Sequence, residues 1–292
     1  MKTGVSSYSY SKLTRGGSIV FLDVIDLTAE MGFDSIEFSN LPVKDHSERL
    51  EMAADIKRRC ADAGLELANF ATPADMLKGS DFNLDKEVER VKKEILVAKA
   101  MGVDKMRHDA TFGFNSGDKG ARSFDFMLPR IAEGCRRITE FAEGEGIRTM
   151  VENHGRYSQD SSRIEALVNA VDHDNFGVLL DVGNFMCVDE DPVDAVGRLI
   201  PYAFHVHFKD FHVKNGSTFN PGPGWFYTRY GTYLRGAIVG HGDLPLSQCM
   251  NIIKQYGYDG TLSIEFEGLE EPLFAIKTGL ANLERLIASV NF

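Results

Sequence analysis

Four stretches in the second half of the chain carry residues suited to chemistry: "TMVENH" (149–154), "VLLDVG" (178–183), "FHVHFKD" (204–210) and "LSIEFEG" (262–268). Side chains alternate faces along an extended strand. Val151, Leu180, Val182, Phe204, Val206, Phe208, Ile264 and Phe266 then make apolar faces. Glu152, Asp181, His205, His207, Lys209, Glu265 and Glu267 fall on the opposite faces. His207 lies one side-chain step, roughly 6–7 Å, nearer the strand's C-terminal end than His205. An isolated buried charge is very costly. Three carboxylates and one imidazole turned inward together, with no inward Arg beside them, point to a divalent cation. A single acidic residue at a strand end is commonly a helix cap or a solvated rim residue. Four in phase on successive strands are hard to explain that way.

These stretches need a scaffold that points them at one place. The chain has 292 residues and alternates short β-like runs with longer amphipathic ones. Strands are expected at 3–8, 35–40, 65–70, 105–110, 148–153, 176–182, 203–210 and 261–267. Helices are expected near 18–31, 47–63, 85–101, 123–145, 160–172, 191–200, 245–256 and 272–289. "MGFD", "AGL", "MGVD", "EGI" and "YGYDG" precede strands two, three, four, five and eight. Gly just past a helix takes the left-handed conformation that ends it. Eight β-then-α units with no second composition regime predict an α/β fold, a single (β/α)₈ TIM barrel over 1–292. A doubly wound sheet would carry a GxGxxG loop after its first strand, and "SSYSYSKLTRGGS" is not one. Barrel active sites sit at the C-terminal ends of the strands, where these acids fall.

One connection breaks the rhythm. From 211 to 244 the chain holds its one Trp, several Tyr and two Arg amid Gly and Pro. Long loops are commonly lids, and the aromatic content argues against disorder. The segment is a candidate substrate lid, with Trp225, Tyr227, Arg229 and Arg235 as its contacts; a packed surface excursion is the plainer reading.

Composition narrows the partners. The net charge is −11, and no basic patch stands out, so nucleic acid is not expected. Cys60, Cys135, Cys187 and Cys249 form no CxxC pair, which fits buried free thiols. No apolar leader and no membrane-spanning run is present, so a soluble cytoplasmic protein is expected.

"VENH" (151–154), "LLDVGN" (179–184), "HVHFKD" (205–210), "VGHGDL" (239–244) and "GYDGTLSIEFEG" (257–268) together resemble the xylose-isomerase-like TIM-barrel superfamily of sugar isomerases, ketose 3-epimerases, inosose dehydratase-type lyases and apurinic endonucleases. The resemblance covers essentially the whole chain. It implies metal ligands at Glu152, Asp181, His207 and Glu265, with Glu152 and Glu265 as an acid/base pair. The cofactor it implies is one divalent ion, Mn²⁺ first, then Mg²⁺, Co²⁺ or Zn²⁺. The expected partner is a small carbohydrate, with no nucleic acid and no membrane; homo-oligomerisation is left open. The expected activity is a metal-dependent isomerase or epimerase of a sugar or polyol-derived keto compound. One carboxylate removes a proton next to the carbonyl, and the metal stabilises the resulting enediolate. The alternative is a lyase that dehydrates a keto-inositol-like substrate or cleaves a 3-keto glycoside. A non-catalytic sugar-binding barrel is a third reading, disfavoured by the intact ligand set.

Departures from the family pattern narrow it. Some ketose epimerases carry a His where Asn184 stands and an Arg where Val213 stands. The extra ligands of the endonucleases are missing. Further substrate contacts are expected at His108, His154, Asn184, Lys209 and Glu267, with Lys209 and Glu267 at the rim. Glu37 fits a polar position common in the family and equally a structural pairing. His205 reads as a deep core or supporting imidazole. No role is assigned to Asp210, His212 or His241.

Overall fold

The computed structural model describes residues 1–115 and 117–289. Its strands are β1 (Lys2–Ser6), β2 (Ser35–Ser39), β3 (Glu66–Thr72), β4 (Lys105–His108), β5 (Arg148–Glu152), β6 (Phe176–Asp181), β7 (Ala203–Phe208), β8 (Asp210–Lys214), β9 (Phe226–Tyr227), β10 (Tyr233–Ala237) and β11 (Thr261–Ile264). Seven strands and β11 close a barrel in the order β1-β11-β7-β6-β5-β4-β3-β2. Every pairing around it is parallel. This is the expected (β/α)₈ barrel.

Helices Asp23–Met31, His46–Asp62, Leu84–Met101, Phe124–Gly144, Ser161–Val171, Pro192–Leu199, Leu246–Gln255 and Pro272–Ser289 follow the barrel strands. Their ends obey local chemistry. The Asp45 carboxylate accepts the amides of Ser47 and Glu48, so the orphan N–H groups of that first turn are satisfied. Gly32 and Gly102 end their helices at φ 92° and 85°, a region that costs a residue with Cβ. A short turn the sequence did not signal, Ser7–Tyr10 followed by a helix at Ser11–Arg15, leads out of β1 and over the barrel mouth.

The interior is sorted by the two-residue period. Val5, Ile36, Phe38, Phe70, Met106, Val151, Val178, Leu180, Val206, Phe208, Leu262 and Ile264 join the apolar shell under the helices. The opposite faces fill the barrel. Its deepest contacts are small: a Cβ at Gly4 would stand 2.7 Å from both Ser263 Oγ and Ser35 Oγ.

The long connection 211–244, the candidate lid, holds a small sheet of its own. β10 pairs antiparallel with β8 and with β9, forming a three-stranded layer in the order β8-β10-β9. Asp210 pins its two ends. Its carboxylate accepts the amides of Phe211, Gly240, Gly242 and Leu244 at 2.8, 2.9, 2.9 and 3.4 Å. A Cβ at Gly242 would lie 2.2 Å from Asp210 Oδ1, so "VGHGDL" is the backbone clasp for this carboxylate. Among the described residues, no helix is long and apolar enough to cross a membrane. Cys60, Cys135 and Cys249 are buried free thiols, with burial pushing each up to about 12.

Candidate metal centre and its cleft

Donor atoms of Glu152, Asp181, His207 and Glu265 lie within 4.8 Å of one another, at the C-terminal ends of β5, β6, β7 and β11. Barrel closure brings the ends of four strands, spread over more than a hundred residues, to one point. His207 Nδ1 and Asp181 Oδ2 are buried and face each other at 3.7 Å; neither makes a hydrogen bond, and the Lys209 ammonium stands 3.3 Å from Oδ2. A buried imidazole nitrogen with no hydrogen bond, turned to carboxylate oxygens, fits a cation, since leaving it unsatisfied is costly.

Each ligand is steered by a neighbour. Asp181 spends Oδ1 on the amides of Gly183 and Asn184, at 2.8 and 2.9 Å, which leaves Oδ2 for the centre. Glu265 turns Oε2 to Lys209 Nζ at 2.6 Å and leaves Oε1 toward His207 Nδ1 at 4.0 Å. Glu152 is held at both oxygens, by Asn184 Nδ2 at 2.8 Å and by Arg107 at 2.5 Å. His207 gives Nε2 to Glu37 Oε1 at 2.7 Å, so Nδ1 is the free donor. Glu37 Oε2 lies 2.7 Å from His205 Nε2, which also meets Ser263 Oγ at 2.9 Å. His205 is therefore the supporting imidazole expected of it. Burial would raise the Glu37 carboxyl, but His207 and His205 outweigh it and hold it well below the usual range. Burial would lower the His207 imidazole, and Glu37 with Asp181 lifts it well above its usual value. A carboxylate behind a ligating imidazole fixes its ring and raises its basicity.

The cleft over this cluster has two chambers. One, of about 220 Å³, opens directly onto Glu152, His207 and Glu265. The other, of about 620 Å³, is bounded by Tyr8, His154, Asn184, Lys209 and Glu267 and roofed by Gly224, Phe226 and Gly236 of the lid sheet. His154, Asn184, Lys209 and Glu267 thus stand where substrate contacts were expected. Lys209 is not a rim residue, however. It is 4% exposed, 3.3 Å from Asp181 and 3.2 Å from the side-chain oxygen Oδ1 of Asn184. Burial would lower its ammonium, and Asp181 and Glu265 raise it well above the usual value. His154 Nδ1 meets Asp109 Oδ1 at 3.0 Å. Burial pulls that imidazole down, and the Asp109 hydrogen bond with nearby Glu152 turns the balance upward.

Other expectations change. An Arg does point inward: Arg107 reaches Glu152 and lies 2.7 Å from Asp109. It was legible, since strand alternation in "KMRHDA" puts Arg107 and Asp109 in one phase and His108 in the other. His108 accordingly faces the helices, fully buried, with its ring 6.3 Å from that of Phe176. Burial pushes it down to about 4, a neutral core imidazole rather than a cleft wall. Trp225 and Arg235 sit in the lid but off the cleft wall. Trp225 lies between Lys214 and Arg235, each 5.7 Å from its ring centroid. Arg229 is tied to Asp160 at 2.9 Å, anchoring the lid to the loop after β5. Tyr8, Lys12, Arg15, Phe112 and Arg156 line the cleft unannounced, because they come from the short turn and helix after β1 and from loops, where no strand period applies.

Residues 25–286 match the family model described as "Xylose isomerase-like TIM barrel". The chain belongs to this family. Among curated proteins, the inosose dehydratase of Lacticaseibacillus casei is 26% identical over 145 residues, 47% of this chain and 46% of that protein. The inosose dehydratase of Clostridium botulinum (strain Alaska E43 / Type E3) is 26% identical over 159 residues, 50% of this chain and 51% of that protein. The chain spans about half the length of these curated relatives. Among solved structures, the fold is shared with the probable 3-DHS dehydratase AsbF of Bacillus anthracis at 21% identity and TM-score 0.74, covering 97% of this chain and 99% of that one. It is shared also with the IOLI protein, solved with a zinc atom, at 17% identity and TM-score 0.76, covering 99% of both chains.

A test of the centre does not depend on substrate. Titration with Mn²⁺ is expected to load about one ion per chain, and Glu37→Gln to weaken that binding about 10–100-fold by loosening the His207 ring. Unchanged affinity in the variant would remove Glu37 from the site.

Proposed function

We propose that the protein is a metal-dependent dehydratase of a polyhydroxylated carbonyl compound. Its reaction is removal of a proton beside the carbonyl with loss of water from the neighbouring carbon. The observation that carries this reading is the asymmetry of the two glutamates. Glu152 has both oxygens engaged, by Arg107 and Asn184, whereas Glu265 has one engaged, by Lys209, and turns the other, Oε1, to the cluster at the cleft floor. An epimerase needs an exchangeable carboxylate on each face of the substrate carbon, whereas an elimination needs one base and one acid. Glu265 is the base. His154, held by Asp109 with its proton affinity raised, is the acid.

The step balances within the substrate. Glu265 takes the proton from carbon, and the C–H electron pair becomes the new C=C bond. The C–O bond to the neighbouring hydroxyl breaks, and that oxygen leaves as water with a proton from His154. Lys209 holds the Glu265 carboxylate in place, its ammonium shared among Glu265, Asn184 and Asp181. A divalent ion on the four-residue cluster supplies Lewis-acid stabilisation of the charge that develops on the substrate oxygens. Mn²⁺, Mg²⁺, Co²⁺ and Zn²⁺ all suit the oxygen- and imidazole-rich donor set. The names of the relatives support the reading: inosose dehydratase among the curated proteins and a probable 3-DHS dehydratase among the structures.

Isomerisation or epimerisation is the second reading. It is favoured by the presence of Glu152 and Glu265 in one donor cluster and by the shared fold of L-ribulose 3-epimerase, at 17% identity and TM-score 0.72. Incubation with inososes, free and phosphorylated ketoses and 3-keto glycosides in deuterated water with Mn²⁺ separates the two. Dehydration gives a product lighter by one water; a product that keeps every oxygen of the substrate and is heavier by one deuterium at carbon would overturn it in favour of epimerisation.

A further inference from the structure

The cleft reverses its charge between its chambers. The one at the metal cluster is bounded by Glu37, Asp109, Glu152, Glu265 and Glu267 against Arg107 and Lys209. The larger one beneath the lid is bounded by Lys12, Arg15, Arg156 and Lys209, with Glu267 as its acidic wall residue. This is a cationic wall in a chain of net charge −11. Its members come from separate elements, the helix Ser11–Arg15 after β1 and the loop after β5, so no single surface helix accounts for it. Among the described residues, no carboxylate pairs with the three outer cations. Lys12 Nζ donates to the Gly268 carbonyl, and Arg156 Nη2 to the Tyr227 carbonyl. Arg15 rests over the Tyr8 ring, its guanidinium carbon 6.0 Å from the centroid. Arg156 stands at φ 65°, a conformation that costs a non-glycine residue, and its contact with the Tyr227 carbonyl turns the side chain toward β9.

From this wall we infer that the larger chamber holds an anionic substituent of the substrate, a carboxylate or a phosphate monoester, while the hydroxylated carbonyl end meets the metal cluster. The inference rests on reading the cleft as the substrate pocket. Guanidinium groups suit such anions through paired, charge-assisted hydrogen bonds. The two chambers, about 620 and 220 Å³, give a molecule room to span both signs of charge. Unpaired cations in a walled cleft also focus the field and draw an anion past the acidic surface.

Calorimetric titration of the Mn²⁺-loaded protein with D-glucitol, D-gluconate and D-glucitol 6-phosphate tests this. At least one anionic probe is expected to bind about tenfold or more tightly than neutral glucitol, as one charge-assisted contact implies. The ratio should shrink as salt rises. Arg15→Gln and Arg156→Gln should each reduce it severalfold, and Arg15→Glu should reduce it further. Gluconate against glucitol 6-phosphate tells carboxylate from phosphate. Equal affinity for neutral and anionic probes, no binding of either anion, or a ratio untouched by all three variants would overturn the inference. Binding needs no turnover, so the ratio should persist in Glu265→Gln even if the dehydration reading fails.

Discussion

Glu265→Gln is expected to lower turnover about 10²–10⁴-fold and to abolish exchange of the substrate's carbon-bound proton with deuterated water. Gln keeps the size of the side chain and an oxygen donor but cannot accept a proton at neutral pH. Glu265 is the carboxylate with a free oxygen at the cluster, and its other oxygen is held 2.6 Å from Lys209. Metal content measured on the same protein separates loss of the base from loss of the ion. Glu152→Gln should also slow turnover, because it breaks the Arg107 contact and weakens the donor set. It should nevertheless leave measurable exchange, since its oxygens are committed to Arg107 and Asn184. Exchange that survives in Glu265→Gln but vanishes in Glu152→Gln would reverse the assignment of the base.

Arg107→Leu is expected to cost about 3–5 kcal/mol of stability, the effect of stripping the partner from buried charge. Arg107 is 8% exposed and answers two carboxylates, Glu152 at 2.5 Å and Asp109 at 2.7 Å. Without it both are left in a low-dielectric interior beside Glu265. The urea midpoint, measured with chelator and again with Mn²⁺, checks the size and the cause. A bound cation supplies part of the missing positive charge, so the loss should be smaller with metal. Arg107→Lys should lose less, because it keeps the charge while giving up the planar fork that reaches two partners. A change below about 1 kcal/mol in chelator would show the guanidinium to be solvated instead of buried.

Arg107 also shows where reading along the chain stops. Its phase was available from "KMRHDA", yet His108 looks the more chemical residue and drew the assignment. The same alternation rule that puts Glu152, Asp181, His207 and Glu265 inward sends His108 to the helix side, where it packs against Phe176. Lys209 was given the correct face and the wrong depth. Alternation settles side, but depth depends on how far the following loops build above the strand end. Here β8 continues almost directly from β7, and Asp181, Asn184 and Glu265 enclose the lysine. Trp225, Arg229 and Arg235 were located on the lid by composition. Only the pairing of β8, β9 and β10 decides that the lid turns Gly224, Phe226 and Gly236 to the cleft.

By itself, the sequence determined the eight-unit order, the helix stops, the apolar shell and the inward phase of the four cluster residues. All of these follow from local periods and from backbone preferences of single residues. The tertiary structure alone decided which atoms meet. Glu37 and His207 are 170 positions apart and share a hydrogen bond of 2.7 Å; Arg107 joins Asp109 to Glu152; cations from the helix after β1 and the loop after β5 line one chamber. Such contacts are set by the closure and stagger of the barrel and by the loops above it, which no period along the chain encodes.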